Sequence, residues 1–417
     1  MTHLRSIGLL CRGWDPDSGG VESHTLGVAR SLVSSGVRVE VLCTARNPKR
    51  PDYGIGDWII GGIRVRRMNL PSASPRALES FDDDARADAR VREWLVHTQP
   101  DLVHVHHLSG FGFGALAEIE RHGLKSIVSL HDYWTLCPRG QMFSVSAEAC
   151  VSVEPAICSE CIEHTWPGVT AKPGSVIQRL DRARHALQRA RHLIVPSLAA
   201  GEVLQGAGFG GLEFTCVPNG IDGVKLAEAV AHLRGGRAAG KRLGVMGAVQ
   251  PSKGVLELAR ALREVDDDDL VLDVHGPLDD YHGSTSYTET LSDLAAKDGR
   301  IRLHGPFRRA DLPRVLASID ALAAPSRWEE VFGLSAREAR AVGLPVLAAR
   351  RAGLVEWEGT TGVTFVSGMG QEEWVQALSS FDFEPTVPES LTSVETMVGQ
   401  FRAMYEAACS DVVPRIA

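Results

Sequence analysis

Two glutamates, Glu330 and Glu338, stand in the segment Pro325-Ser-Arg-Trp-Glu-Glu330-Val-Phe-Gly333-Leu-Ser-Ala-Arg-Glu338. A carboxylate accepts paired hydrogen bonds from vicinal hydroxyls, such as those of a hexose or a ribose. The segment follows an apolar run, Ala321–Ala324, that reads as a strand, and it leads into a helical pattern over Ser335–Val342. Backbone N–H groups at Gly333, Leu334 and Ser335 then sit at a helix start, where they suit an anion such as a pyrophosphate. One loop thus offers contacts for both a sugar and a phosphate. Helix capping accounts for either glutamate but does not need both.

Other strand ends carry polar residues of a similar kind. Behind the expected strand Lys241–Met246 comes Gly247-Ala-Val-Gln-Pro-Ser-Lys253-Gly254. A turn glycine followed by a lysine suits a diphosphate, one through its backbone and the other as a point cation. Near the N-terminus, Ser18-Gly19-Gly20-Val21-Glu22 precedes a helix. Paired glycines there let backbone approach a ligand closely, although an ordinary strand-to-helix turn has the same composition. His104-Val105-His106-His107 ends another strand, and alternation puts His104 and His106 on one face. These rings either face a ligand or are satisfied by backbone carbonyls; as a metal pair they lack a third ligand nearby in sequence. His131-Asp132-Tyr133-Trp134 follows the strand Ser126–Leu130 and could orient a substrate or move a proton. Asp132 capping a turn while the aromatic rings pack is the alternative.

Cys137, Cys150, Cys158 and Cys161 cluster in a segment rich in Pro, Ser and Glu, the last two as Cys-x-x-Cys. Such a segment has little apolar content to order itself, and a tetrahedral structural zinc would supply the missing stabilisation. Reduced thiols or a redox pair are the alternatives. The helix Ile177–Arg191 is rich in arginine, with Leu180, Ala183, Leu187 and Ala190 as its apolar stripe. Contact with an anionic membrane surface is one reading of it; a solvated face is the other.

The elements that must hold these residues follow a regular scheme. Short aliphatic runs alternate with helical patterns, the signature of a parallel sheet covered by helices. Strands are expected at Ile7–Cys11, Val37–Thr44, Leu102–His106, Ser126–Leu130 and His192–Pro196, and the scheme restarts at Lys241–Met246. Two successive series mean two domains, joined near Pro218-Asn219-Gly220, a turn tripeptide. In an open parallel sheet ligands bind at the carboxyl ends of the strands, where every polar loop named above falls.

The chain has 417 residues, enough for two or three domains, with 44% apolar and 23% charged residues. A net charge of −8 gives no basic footprint of the kind nucleic-acid binding leaves. No apolar run approaches the roughly 18 residues of a membrane span. Ile7–Cys11 is too short for a signal-peptide core, so a cytoplasmic protein with reduced cysteines is expected, with peripheral contact at the inner membrane face as a variant.

Taken in order, the motifs resemble glycosyltransferase family 4, the retaining enzymes of the GT-B fold. Glu330 and Glu338 in the context Glu-Val-Phe-Gly-Leu carry the resemblance, with Val217-Pro-Asn-Gly-Ile-Asp222 at the domain join. Gly19-Gly20-x-Glu, His104-x-His106, Lys253-Gly254, and a degraded Gly353…Glu356 turn follow in the family's sequence. The run from His131 to Gln141 and its trailing cysteines is similar to a bacterial subgroup. The resemblance implies two doubly wound Rossmann-like domains facing across a cleft. They would be residues 1–218 on the acceptor side, with a cysteine-rich insertion at about 137–166, and residues 219–398 for the nucleotide sugar. A final helix, 399–417, would pack back on the first domain.

The resemblance also implies roles. Glu330 would bind the transferred sugar, Glu338 the ribose, and Lys253 with the backbone at Phe332, Gly333 and Leu334 the diphosphate. Gly19 and Gly20 would approach the donor phosphate or the acceptor, and His106, His131 and Asp132 would line the acceptor side. The implied reaction moves a hexose from a UDP- or GDP-sugar to a hydroxyl on a small molecule or lipid-linked glycan, with retention of configuration. It needs no catalytic metal or other cofactor, because lysine and backbone dipoles stabilise the leaving group. Many members carry an arginine where this chain has Ala248; Arg327 or Lys241 would have to replace it. That departure keeps two other readings open, a nucleotide-sugar-binding protein without catalysis and an epimerase of the same fold.

Overall fold

A computed structural model describes residues 4–73, 75–237 and 240–410. The chain divides into two compact units. The first comprises residues up to 145, 151–218 and 394 onward; the second comprises 146–150 and 219–393.

The first unit is built on eight strands. They are β1 (Ser6–Cys11), β2 (Arg38–Ala45), β3 (Ile55–Ile60), β4 (Ile63–Asn69), β5 (Leu102–Val105), β6 (Lys125–Ser129), β7 (His192–Val195) and β8 (Phe214–Cys216). Their order in the sheet is β3-β4-β2-β1-β5-β6-β7-β8. All neighbours run parallel except the β3–β4 hairpin at the edge. β1 is buried along its whole length, as a central strand covered on both faces must be. Helix Gly20–Ser34 lays Leu26, Val28, Ala29 and Leu32 on one face. The last helix, Val394–Ser410, adds Met397, Val398, Phe401 and Tyr405 to the same core. That helix begins at Val394 rather than at residue 399, and residues 411–417 lie outside the described residues.

The second unit holds β9 (Lys241–Met246), β10 (Leu270–His275), β11 (Ile301–Gly305), β12 (Ala321–Ala324), β13 (Val346–Ala348) and β14 (Val363–Phe365). The order is β11-β10-β9-β12-β13-β14, all parallel. Two separate apolar clusters, one around Leu258, Leu272 and Trp374 and one around Leu316, Leu322 and Ala339, flank this sheet. Each unit is therefore a doubly wound, Rossmann-like α/β domain.

The hairpin β3–β4 escapes the alternation argument, because Ile63–Asn69 carries three arginines in seven residues. The basic helix differs from expectation as well. It spans Pro173–Leu187; Ala183 and Leu187 of the expected stripe are buried, together with Val176, Arg179 and Ala186, while Leu180 and Ala190 are only half-buried. Arg179 is fully buried, paired with Asp82 and donating to the Trp134 carbonyl. Arg182 reaches the other Asp82 oxygen at 2.8 Å. Part of the helix's charge is thus internal and is not presented to a surface. The cysteine segment also orders itself more than its composition suggests: helix Pro155–Thr165 packs Ile162 with Leu78, Val169, Ala171 and Val176 in a small core.

Candidate active site

In the second unit the loop after β12 meets the loop after β9. Gly254 has a φ of 69°, and a Cβ there would lie 2.0 Å from the Pro325 carbonyl oxygen. Glycine is required at this crossing, and the close approach brings Lys253 onto the Glu330 loop. Lys253 Nζ lies 2.7 Å from Glu330 Oε2. The same oxygen accepts from Ser326 Oγ at 2.8 Å and Trp328 Nε1 at 3.0 Å. Lys253 also sits 5.0 Å from the centre of the Trp328 ring, a cation–π distance. Three donors converge on one carboxylate oxygen, so Glu330 is held in a single orientation.

Helix Leu334–Ala341 starts just beyond, with Gly333 at φ 74° as its left-handed cap. A side chain at Gly333 would run into Leu354. Phe332 is buried, and its carbonyl accepts from Arg337 Nε at 3.0 Å while the guanidinium stacks on the Phe332 and Trp357 rings. The turn carrying the Gly333 and Leu334 amides is thereby fixed from beneath. Gly353 N donates to the Glu330 carbonyl at 2.7 Å, so the degraded Gly353…Glu356 turn buttresses the same loop. Glu338 lies one helical turn on, 3% exposed, and is ion-paired with Arg309. Burial raises its carboxyl above the usual range, and Arg309 opposes that shift.

Lys241 does not join this group. It pairs with Asp267 at the amino end of β9, the opposite end from Gly247. Arg327 does lie on the loop, bound to Glu257 at 2.8 Å. Ala248 is exposed.

In the first unit Gly19 caps helix Gly20–Ser34 in an extended conformation. Beside this helix a histidine cluster forms at the ends of β5 and β6. His106 Nδ1 and His131 Nε2 share a hydrogen bond of 3.2 Å, and the His24 ring packs edge-on to both. His104 is held between Tyr405 Oη at 2.7 Å and Ser129 Oγ at 2.8 Å. Burial lowers all four imidazoles, His104 to about 3 and His131 to about 4. They are therefore neutral at pH 7. One nitrogen each from His24, His106 and His131 lies within 4.8 Å of the others, a donor set that could hold a transition-metal ion. Asp132 is tied to His107 Nε2 at 3.0 Å, and the Trp134 amide donates to it at 2.8 Å. Burial alone would raise its carboxyl, but the His107 contact and the amide hold it below the usual range.

Sequence reasoning grouped Gly19, Gly20, Lys253, Glu330, Phe332, Gly333, Leu334 and Glu338 as donor-binding; the last six lie in one region of the second unit, and the two glycines belong to the first unit. It missed Ser326 and Trp328 as donors to Glu330, although both stand in the segment that drew attention. Arg309, His24 and Tyr405 gave no local signal. Tyr405 lies 301 positions from the histidine it binds.

Comparison with known proteins agrees with this construction. Residues 18–223 match the family model Glycosyltransferase Family 4, and residues 240–381 match the model Glycosyl transferases group 1. The chain is a glycosyltransferase of the GT-B type, with a family 4 domain followed by a group 1 domain. It is 26% identical over 411 residues to the D-inositol 3-phosphate glycosyltransferase of Arthrobacter sp. (strain FB24), covering 92% of this chain and 88% of that one. It is 26% identical over 347 residues to the phosphatidyl-myo-inositol mannosyltransferase of Mycobacterium tuberculosis (strain ATCC 25618 / H37Rv), covering 82% and 77%. The solved structure of Anabaena Alr3699/HepE in complex with UDP-glucose shares its fold, with a TM-score of 0.61, 20% identity and coverage of 98% and 97%.

Proposed function

We propose that this glycosyltransferase moves a hexose from a nucleoside-diphosphate sugar to a hydroxyl acceptor with retention of configuration. The observation that carries the reading is the three-donor clamp on Glu330 Oε2. Oε1 has no hydrogen bond among the described residues, so it is available to hydroxyls of the transferred sugar. Lys253 stands beside it as the cation for the leaving diphosphate, with the Gly333 and Leu334 amides at the helix start as further donors. Glu338 takes the ribose hydroxyls, a role for which its burial and the Arg309 partner prepare it. A UDP- or GDP-sugar fits these contacts. On this reading the leaving phosphate oxygen accepts the acceptor proton, and the reaction needs no metal. His106, His131 and Asp132 form the acceptor wall in the first unit, with Gly19 and Gly20 beside it.

Glu330→Gln keeps the size of the side chain and removes its charge. Transfer is expected to fall by at least about 100-fold, the scale of losing a preorganised charged contact, while thermal unfolding stays near wild type. Turnover within a few-fold of wild type would refute the assignment. Product analysis with donor alone distinguishes an epimerase, which would interconvert the sugar without an acceptor.

The cysteine segment is proposed to carry one structural zinc, with Cys158 and Cys161 among its ligands; they are three residues apart on helix Pro155–Thr165 and so share a face. Metal analysis of the purified protein is expected to give about one zinc per chain, lost in Cys158→Ser/Cys161→Ser. Zinc lost instead in His24→Ala would place the ion on the histidines. None of the described helices is long and apolar enough to cross a membrane. A cytoplasmic location, with peripheral contact at the membrane, is our reading.

A further inference from the structure

Three arginines meet around one pocket in the first unit. The loop after β2 and the end of β4 enclose a pocket of about 340 Å³, lined by Arg46, Arg50, Arg67, Trp58, Asn47 and Asn69 among others. The guanidinium of Arg67 lies 4.9 Å from the centre of the Trp58 ring, and that of Arg50 lies 5.4 Å from it. Other arginines of the same hairpin are neutralised: Arg66 binds Asp57 at 2.8 Å, and Arg64 lies 3.7 Å from Glu40. Among the described residues, no carboxylate pairs with Arg46, Arg50 or Arg67. Arg67 Nε is moreover buried with no acceptor.

The pocket is a built one. Asn69 is 3% exposed, and its side-chain amide donates to the carbonyls of Asn47, Arg50 and Pro51. Its Oδ1 accepts from the Asn47 amide at 2.8 Å. One buried asparagine thus ties down the loop that carries Arg46 and Arg50. Gathering three cations around one pocket, two of them on one aromatic ring, costs Coulomb energy, which a bound anion would reverse. Guanidinium groups match the oxygens of a phosphate two at a time.

Its position says which ligand. Ala45 and Asn69 are register partners at the carboxyl ends of β2 and β4. Gly19, His106 and His131 follow the carboxyl ends of β1, β5 and β6, on the same edge of the same sheet. We infer that this pocket binds a phosphate group carried by the acceptor, either on a small polyol phosphate or in a phospholipid headgroup. The inference rests on the transfer reading above, since it makes the pocket an acceptor subsite.

Calorimetric titration of the full chain with glycerol 3-phosphate tests the soluble source. Co-sedimentation with phosphatidylinositol-containing vesicles, against phosphatidylcholine alone, tests the lipid one. Saturable binding in at least one arm is expected, weakened at least tenfold in Arg50→Gln/Arg67→Gln and unchanged in Lys253→Ala. Binding only to vesicles assigns the lipid headgroup, and binding only to glycerol 3-phosphate assigns the soluble form. No binding in either arm overturns the inference, as does binding that the arginine pair leaves intact. A melting temperature near wild type for Arg50→Gln, whose side chain is at the surface, keeps a folding defect from imitating the result. Failure here leaves the Glu330 experiment untouched, because the two sets of residues lie in different units.

Discussion

At the residue scale, the donor site depends on one backbone conformation. Gly254 adopts φ 69°, and a methyl group there meets the Pro325 carbonyl oxygen at 2.0 Å. Gly254→Ala must push the two loops apart and also strain the backbone, together costing more than about 1 kcal/mol. We predict a lower melting temperature and weaker UDP binding by calorimetry, since Lys253 moves with the loop. A variant that melts and binds like wild type would show that the crossing does not position Lys253. The E-x7-E segment was legible because its charged residues follow an apolar strand and no packing argument needs two of them. Arg309 was not, because an arginine in a polar loop carries no mark of the carboxylate it will meet.

Elements decide the behaviour of the histidines. β5, β6 and helices Gly20–Ser34 and Val394–Ser410 bring four imidazoles together, all lowered by burial. In the unfolded chain these rings titrate near 6.5, so below that pH the unfolded state binds more protons than the folded one. Stability is then fully present above about pH 6.5 and is lost as pH falls towards about 4, where His131 titrates in the folded state. Thermal unfolding scanned from pH 7 to pH 4 is expected to show this decline, with a shallower slope for His131→Asn. Equal slopes would mean that the cluster does not set the acid limit. The sequence displayed His104, His106 and His131 because they end strands. It concealed His24, which sits within a helix, and Tyr405, whose contact is remote along the chain. The β3–β4 hairpin was hidden for a different reason: an edge hairpin needs no continuous apolar run, and its arginines mimic a loop.

For the whole molecule, the two α/β series and the join at Pro218 were readable, since strand spacing repeats and the turn tripeptide interrupts it. Which unit claims the last helix was not readable from its apolar pattern. Helix Val394–Ser410 supplies Met397, Val398, Phe401 and Tyr405 to the first core. At about 1.5–3 kcal/mol for each large buried side chain, their sum rivals the stability of an ordinary domain. A chain ending at Ser393 is therefore predicted to lose cooperative unfolding of its first domain, monitored by circular dichroism. A sharp transition of wild-type amplitude would contradict this.

That helix also imposes an order on synthesis. The first domain cannot close its core until residues 219–393 have been made, because its final piece is encoded after them. At about 5–20 residues per second, those 175 intervening residues (393 − 218) delay completion by roughly 10–35 s. During that interval the second unit is free to fold while the face awaiting Phe401 and Tyr405 stays open to water. A nascent chain of this kind exposes apolar surface for longest on the domain it began first, and chaperone dependence in expression should track that face.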